Sequence, residues 1–344
     1  MNLRLSCWLA AAALSLAGCA TSQPRSAADT SSATAGAAPA AAAPRGEDTR
    51  YALAWLQTAA EYDAQNLMGY AAARAALDAA LADPAHDALP AAERARTGKD
   101  PRALPPAIIL DIDETVLENT PFNVDLLTHP IDESLSPAEW VAEFDRRWVA
   151  WVGKAAAPRM GGAKEFLDHA AARGVAIRYI TNRACKPGDP AMCEEEPTCR
   201  NLRAQELPLA DCERDVLLRH EQEPYLAETE KGSRRVAVGS EFRVLLVLGD
   251  NLGDFLDGVA TSVAAREELV CAARSHWGVD WFVLANPVYG SWPRAAENLP
   301  AGTSFATAAQ RREAHRRGID AALVAQDAAT RLRTPCLPAA AAGN

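Results

Sequence analysis

The chain has 344 residues, 49% hydrophobic and 23% charged, enough apolar material for one large domain or a domain with an appended lobe, and too much for a disordered polymer. Its 35 lysines and arginines are outnumbered by 45 aspartates and glutamates, a formal net charge of −10. A balance of that sign argues against nucleic-acid binding through a basic surface.

The opening segment, MNLRLSCWLAAAALSLAGC, carries one arginine, a short apolar run from Cys7 to Leu16, and small residues before Cys19. The run is too short to span a bilayer and has the layout of an export signal. Its end, LAGC, resembles the bacterial lipoprotein signal. The resemblance implies a signal peptide over residues 1–18, acylation of Cys19, and outer-membrane sorting permitted by Ala20. A plain signal cleaved nearby without lipid is the alternative. Residues 19–46, including ATAGAAPAAAAPRG, lack large apolar anchors and read as a flexible spacer, leaving residues 47–344 as the folded domain.

Export changes the meaning of the six remaining cysteines, Cys185, Cys193, Cys199, Cys212, Cys271 and Cys336. An even number in an oxidising compartment favours disulfides, with about 15 connectivities open. Four fall between positions 185 and 212 in a Pro- and Glu-rich stretch, where a bridge would hold a loop with little core of its own. No CxxC pair or histidine spacing there supports a zinc cluster.

From Tyr51, apolar residues Leu53, Leu56, Ala60, Leu67, Tyr70, Leu77 and Leu81 recur at helical intervals, predicting one long helix or two over 51–82. A polar, Pro-bounded connection leads to a strand ending at Asp111. Further strands are predicted at Val175–Ile180, Val216–Leu218, Val244–Leu248 and Trp281–Leu284, separated by helical patterns. The economical architecture is α/β, a mostly parallel sheet flanked by helices with a smaller helical lobe. That lobe is expected from 51–82 plus a cap insertion at about 119–160, over a core of about 104–118 and 161–295. Trp140, Phe144, Trp148 and Trp151 in the insertion, at spacings of 4, 4 and 3, read as packing.

Polar motifs stand at the strand ends, where open parallel sheets collect ligands. Asp111 and Asp113 follow the first strand; as two acids on one face of an extended chain they repel unless a cation offsets them. Thr181-Asn182-Arg183 follows the second, Lys231 opens the helical KGSRRVAV, and Gly249-Asp250-Asn251-Leu252-Gly253-Asp254 follows another strand. Together they supply what phosphoryl transfer from a monoester requires. A hard cation, best Mg²⁺, would sit on Asp111 and Asp250. Asp111 would be the nucleophile, Asp113 the general acid and base, and Lys231 and Thr181 would stabilise the phosphate oxygens.

The four pieces ILDIDET, YITNR, Lys231 and VLGDNLGDF resemble the motifs of the haloacid dehalogenase superfamily of phosphohydrolases, with a Rossmann-like core. More narrowly, DIDETVLENTPF, AKEFLDHAAARGVAIRYITNR, GDNLGDF and LANPVYGSW are similar to class C (subfamily IIIB) acid phosphatases of the outer-membrane lipoprotein e type, over Tyr51 to Arg294. The resemblance implies Asp111 and Asp113 as catalytic pair, Thr181, Asn182 and Lys231 on phosphate, and a metal site of Asp111, the main-chain oxygen of Asp113, and Asp250. It implies Asp254 on the metal through water and Tyr289 stacked on an aromatic leaving group. It further implies an outer-membrane lipoprotein facing periplasm or cell surface, membrane contact through the lipid alone, nucleoside 5′-monophosphate substrates, and leaves a homodimer open. Rival readings are a phosphotransferase, a narrow sugar-phosphate phosphatase, and a non-catalytic lipoprotein that captures phosphorylated ligands; the presence of Asp111 disfavours the last. His129, His169, His220 and His276 show no ligand spacing and read as structural.

Overall fold

The computed structural model describes residues 47–185, 197–220, 230–299 and 303–324. The expected signal peptide at 1–18, the spacer at 19–46 with Cys19, and Cys193 and Cys336 lie outside those residues. Two helices form where one or two were expected: α1 (Glu47–Thr58) and α2 (Ala60–Ala82), parted at the extended Ala59. Next come α3 (Ala91–Thr97), β1 (Pro106–Leu110), α4 (Thr120–Thr128), α5 (Pro137–Gly153) and α6 (Ala163–Ala172). The chain continues through β2 (Ala176–Cys185), α7 (Pro197–Ala204), α8 (Cys212–Asp215), β3 (Val216–His220), α9 (Gly232–Glu241) and β4 (Arg243–Gly249). The last elements are α10 (Val263–Ala272), β5 (Trp281–Val283), α11 (Trp292–Glu297) and α12 (Ala308–Val324).

The five strands make one parallel sheet in the order β3-β2-β1-β4-β5. Because neighbouring side chains on a strand face opposite ways, β1 feeds two cores. Ile108 and Leu110 join Tyr70 and Leu77 of α2 and Phe166 and Leu167 of α6 on one face. Ile109 joins Val238 of α9, Leu89, Phe255 and Trp281 on the other. Burial on both faces explains why the strands read as continuous apolar runs rather than alternating ones. Residues 51–82, expected in a smaller helical lobe, pack into the sheet's own core through Leu53, Leu56, Tyr70 and Leu77; in the insertion Phe122 meets Phe144 at 5.7 Å, Trp148 at 5.1 Å and Trp151 at 6.4 Å between ring centroids, so its aromatic spacing is packing. A capping box at Ser136 and Glu139 starts the helix that carries three of these rings.

The chain builds β1, β2 and β3 outward in one direction and then returns to add β4 and β5 on the other side of β1. The carboxyl ends of β1 and β4 therefore flank a topological switch point, where two divergent connections leave a crevice. Asp111 and Asp250 are the residues that follow those two strands.

Two local expectations differ from the structure. Extended backbone ends at Asp111, since Val116 and Leu117 both donate to the Ile112 carbonyl at 2.9 Å and Glu114 sits at φ 54°. Asp111 and Asp113 are thus parted by a tight turn rather than aligned on a strand face. Conversely, β2 does not stop at Ile180: it runs to Cys185, with an irregularity against β3 between Ile180 and Ala184. Thr181, Asn182 and Arg183 occupy that irregularity, and a bulge is a usual means of re-aiming side chains beside a site. A disulfide joins Cys199 of α7 to Cys212 of α8, holding part of the cysteine-rich segment, and Cys271 is disulfide-bonded as well. Among the described residues no helix is long and apolar enough to cross a membrane.

Candidate active site

Carboxylate oxygens of Asp111, Asp250 and Asp254 lie within 4.8 Å of one another at the switch point. The Asp111 amide donates to the Leu248 carbonyl at 3.0 Å, so the pairing of β1 with β4 carries past the strand end and sets the first acid beside the second. Asp254 is brought back by a short 3₁₀ turn, Leu252–Asp254, in which its carboxylate accepts from the Asn251 amide at 2.8 Å. Gly249 permits this return, because a Cβ there would stand 2.3 Å from an Asp254 carboxylate oxygen. An Asp254 carboxylate oxygen is thereby placed in the cluster.

Lys231 precedes α9 and inserts its ammonium between two of these acids, pairing with Asp111 and with Asp254 at 2.7 Å. Two of the three buried or half-buried carboxylates thus contact this cation directly. Burial is the main reason that Asp111 rises to about 7; Lys231 opposes the rise, and Asp254 and Asp113 add repulsion. Burial, then Asp254 and Asp111, push Asp250 well above the ordinary carboxylate range. Burial works against the Lys231 ammonium, yet Asp111 and Asp254 outweigh it and hold its pKa above that of a free lysine. Crowded hard oxygens of excess negative charge are the donor set that a divalent cation such as Mg²⁺ accepts, so the residues fit such an ion.

The β2 bulge supplies the neutral donors. Thr181 is fully buried and its hydroxyl oxygen accepts from the Arg183 amide at 3.1 Å, leaving its proton to donate. Arg234 of α9 donates to the Thr181 carbonyl and to the Asn182 side-chain oxygen, both at 2.6 Å, which fixes which end of the Asn182 amide is turned away. Asp113 belongs to a separate set of partners, Arg183 and Asn119. Its side chain does not join the three-acid cluster.

Tyr289 is half-buried on the loop after β5, where its amide donates to the Asn286 side-chain oxygen at 3.3 Å. Asn286 in turn donates to Asp250 at 2.8 Å, tying that loop to the acid cluster. Asn286, Asn119, Arg183, Arg234 and Thr115, whose hydroxyl lies 3.4 Å from Asp250, were not singled out from sequence. Each stands inside or beside a motif that was, so adjacency was the available signal, but partners such as Asp113 for Arg183, Thr181 for Arg234 and Asp250 for Asn286 are far away along the chain.

A parallel sheet with clustered acids, a buried lysine and strand-end donors at its switch point defines a class: α/β enzymes that handle phosphate esters by offsetting their charge. Residues 21–292 match the HAD superfamily, subfamily IIIB (acid phosphatase), and the chain belongs to that family. Among solved structures it is similar to the class C acid phosphatase from Bacillus anthracis with tungstate bound, at 28% identity and a TM-score of 0.61, covering 79% of this chain and 97% of that one. A second structure of the class C acid phosphatase from Bacillus anthracis matches at 27% identity and a TM-score of 0.60, covering 79% and 96%. The chain is accordingly a phosphomonoesterase.

Proposed function

We propose that this phosphatase hydrolyses small phosphate monoesters, nucleoside 5′-monophosphates among them, through a phospho-aspartate on Asp111 with Mg²⁺ as cofactor. The observation that carries the reading is the convergence of Asp111, Asp250 and Asp254 within 4.8 Å of one another, with Lys231 paired to Asp111 and Asp254. Asp111, Asp250 and the main-chain oxygen of Asp113 would hold the ion, with Asp254 alongside. When bound, it supplies the positive charge that lets an anionic carboxylate approach an anionic ester.

The chain's own residues then divide the work. The Asp111 carboxylate attacks phosphorus, the bond to the ester oxygen breaks, and Asp113 gives its proton to the departing alkoxide. Asp113 next takes a proton from water, whose oxygen attacks phosphorus, releasing inorganic phosphate and restoring Asp111. Lys231, the Thr181 hydroxyl and Asn182 hold the phosphate oxygens as charge redistributes. The bound tungstate of the Bacillus anthracis relative, a tetrahedral oxyanion of phosphate shape, supports an oxyanion site in this family. Tyr289 stacks on an aromatic leaving group, which favours nucleotides over sugar phosphates.

The test is hydrolysis of p-nitrophenyl phosphate and adenosine monophosphate by the purified full chain, with and without chelator, beside Asp111→Asn. Activity that needs a divalent ion and is lost in the variant is the expected result. Turnover that survives either change excludes the mechanism.

We propose also that residues 1–18 are a cleaved signal, that Cys19 is acylated, and that residues 19–46 tether the domain to the outer membrane. LAGC supports this. A clickable fatty acid fed to expressing cells should label the parent chain and leave Cys19→Ser unlabelled; equal labelling would refute the tether.

A further inference from the structure

Asp113 is held by an apparatus that the proposed reaction has not yet used. Arg183 donates to its Oδ1 through Nη2 at 2.7 Å and Nε at 3.0 Å, and to Oδ2 through Nε at 3.2 Å. Asn119 donates to the same Oδ1 from Nδ2 at 2.7 Å. Three donor contacts thus crowd one oxygen, and the other has a single long one. The carboxyl cannot turn over without breaking all of them, so Oδ2 is held as its less encumbered oxygen.

The two donors are themselves braced from α5. The Trp151 ring N–H donates to the Asn119 side-chain oxygen at 2.8 Å, which dictates that the Nδ2 end points at Asp113. The Arg183 guanidinium lies 5.7 Å from the Trp148 ring centre and donates to the Thr198 hydroxyl at 3.3 Å, next to the Cys199–Cys212 disulfide. The Arg183 side chain is only 3% exposed. Burying a guanidinium is costly unless its partner is fixed, and an apolar side chain would fill the same space at less cost. Its location therefore points to a role at the acid it grips.

We propose that Arg183 and Asn119 are positioning residues for proton transfer by Asp113, and that Trp151 and Trp148 of the inserted helix brace them. The proposal rests on the reading of Asp113 as acid and base. A clamp of this kind matters most when the leaving group needs a proton. The alkoxide of a nucleotide does; p-nitrophenolate, already a stable anion, does not. A carboxyl displaced by a fraction of an ångström loses much of its effect on the first substrate and little on the second.

The experiment compares kcat/KM, which covers the chain of events up to departure of the leaving group, for adenosine monophosphate and p-nitrophenyl phosphate. The full chain with Mg²⁺, Asp113→Asn, Arg183→Ala and Trp151→Phe are measured side by side. Loss of folded protein lowers both substrates by one factor, so the ratio reports position alone. Arg183→Ala should lose about tenfold or more on the nucleotide beyond its loss on the aryl ester. Added guanidinium ion should restore part of the difference. Trp151→Phe, which keeps an aromatic six-membered ring but deletes the indole N–H together with its five-membered ring, should shift the ratio the same way by about two- to threefold. If Asp113→Asn changes the ratio while Arg183→Ala and Trp151→Phe do not, the clamp is structural and the inference is overturned, with the role of Asp113 intact. If Asp113→Asn itself leaves the ratio unchanged, the acid role fails and the clamp with it.

Discussion

Two ionic clusters at α9 each gather carboxylates about a buried base and are opposite in character. On the sheet's carboxyl edge, Asp111, Asp250 and Asp254 crowd together, and the Lys231 ammonium pairs with the first and the last of them. One turn further along the helix, Arg235 is fully buried and every nitrogen of its guanidinium is engaged: with both Glu93 oxygens, with the carbonyls of Gly253 and Asp254, and with Asp257. The second cluster is saturated and locks α3, α9 and the Asp254 turn together. The first crowds three carboxylates together, which raises Asp111 and Asp250 above the ordinary range and favours a bound cation. Stability and chemistry are thus separated by about one helical turn, and the difference is whether the donors are used up.

Replacing Arg235 by leucine is the most severe way to break this contrast. It leaves Glu93 and Asp257 without their partner and should cost about 3–5 kcal/mol of unfolding free energy, read by urea titration. A loss comparable to that of a surface substitution would show that the saturated cluster is not a structural anchor.

A smaller effect separates the clusters by pH. In chelator, Asp111 holds its proton up to about 7 in the folded chain against an ordinary value of 3.8, so above pH 4 the native state binds more protons than the unfolded one. Stability from this group therefore falls as pH rises from about 4 to about 7 and stays low above it. Mg²⁺ should raise the melting temperature by more at pH 7.5 than at pH 5. Equal increments at the two pH values would mean that the acids near Lys231 are not what the ion relieves.

The smallest stability change should belong to Asp111→Asn. Removing one of three like charges in the chelated protein at pH 7.5 should leave unfolding free energy within about 1 kcal/mol of the parent or raise it, although turnover falls by at least about a thousandfold. A destabilisation as large as that of Arg235→Leu would erase the distinction.

Much of the site was legible because its residues follow strands whose apolar runs are themselves legible. Asp111, Thr181, Lys231 and Asp250 could each be placed at an edge from local pattern, and the order of motifs matched the family to which the chain belongs. Less legible was the path of the backbone between Ile180 and Ala184, since a strand that continues through a bulge and a strand that ends in a turn use similar residues. The aromatic spacing in α5 was read as packing, and Phe144, Trp148 and Trp151 do pack on Phe122 while Trp140 stacks on Phe144. Nothing in that spacing showed that the Trp151 N–H also reaches Asn119, 32 residues away.

By itself the sequence determined the apolar strands, the helical faces and the presence of acids, a lysine and a threonine beside strand ends, because period and burial are properties of neighbours along the chain. Tertiary structure decided which acid meets which cation. Asp111 and Lys231 are 120 residues apart and Glu93 and Arg235 are 142 apart, and only the strand order and the packing of α3 and α9 bring those charges within a few ångströms, where Coulomb energy becomes large.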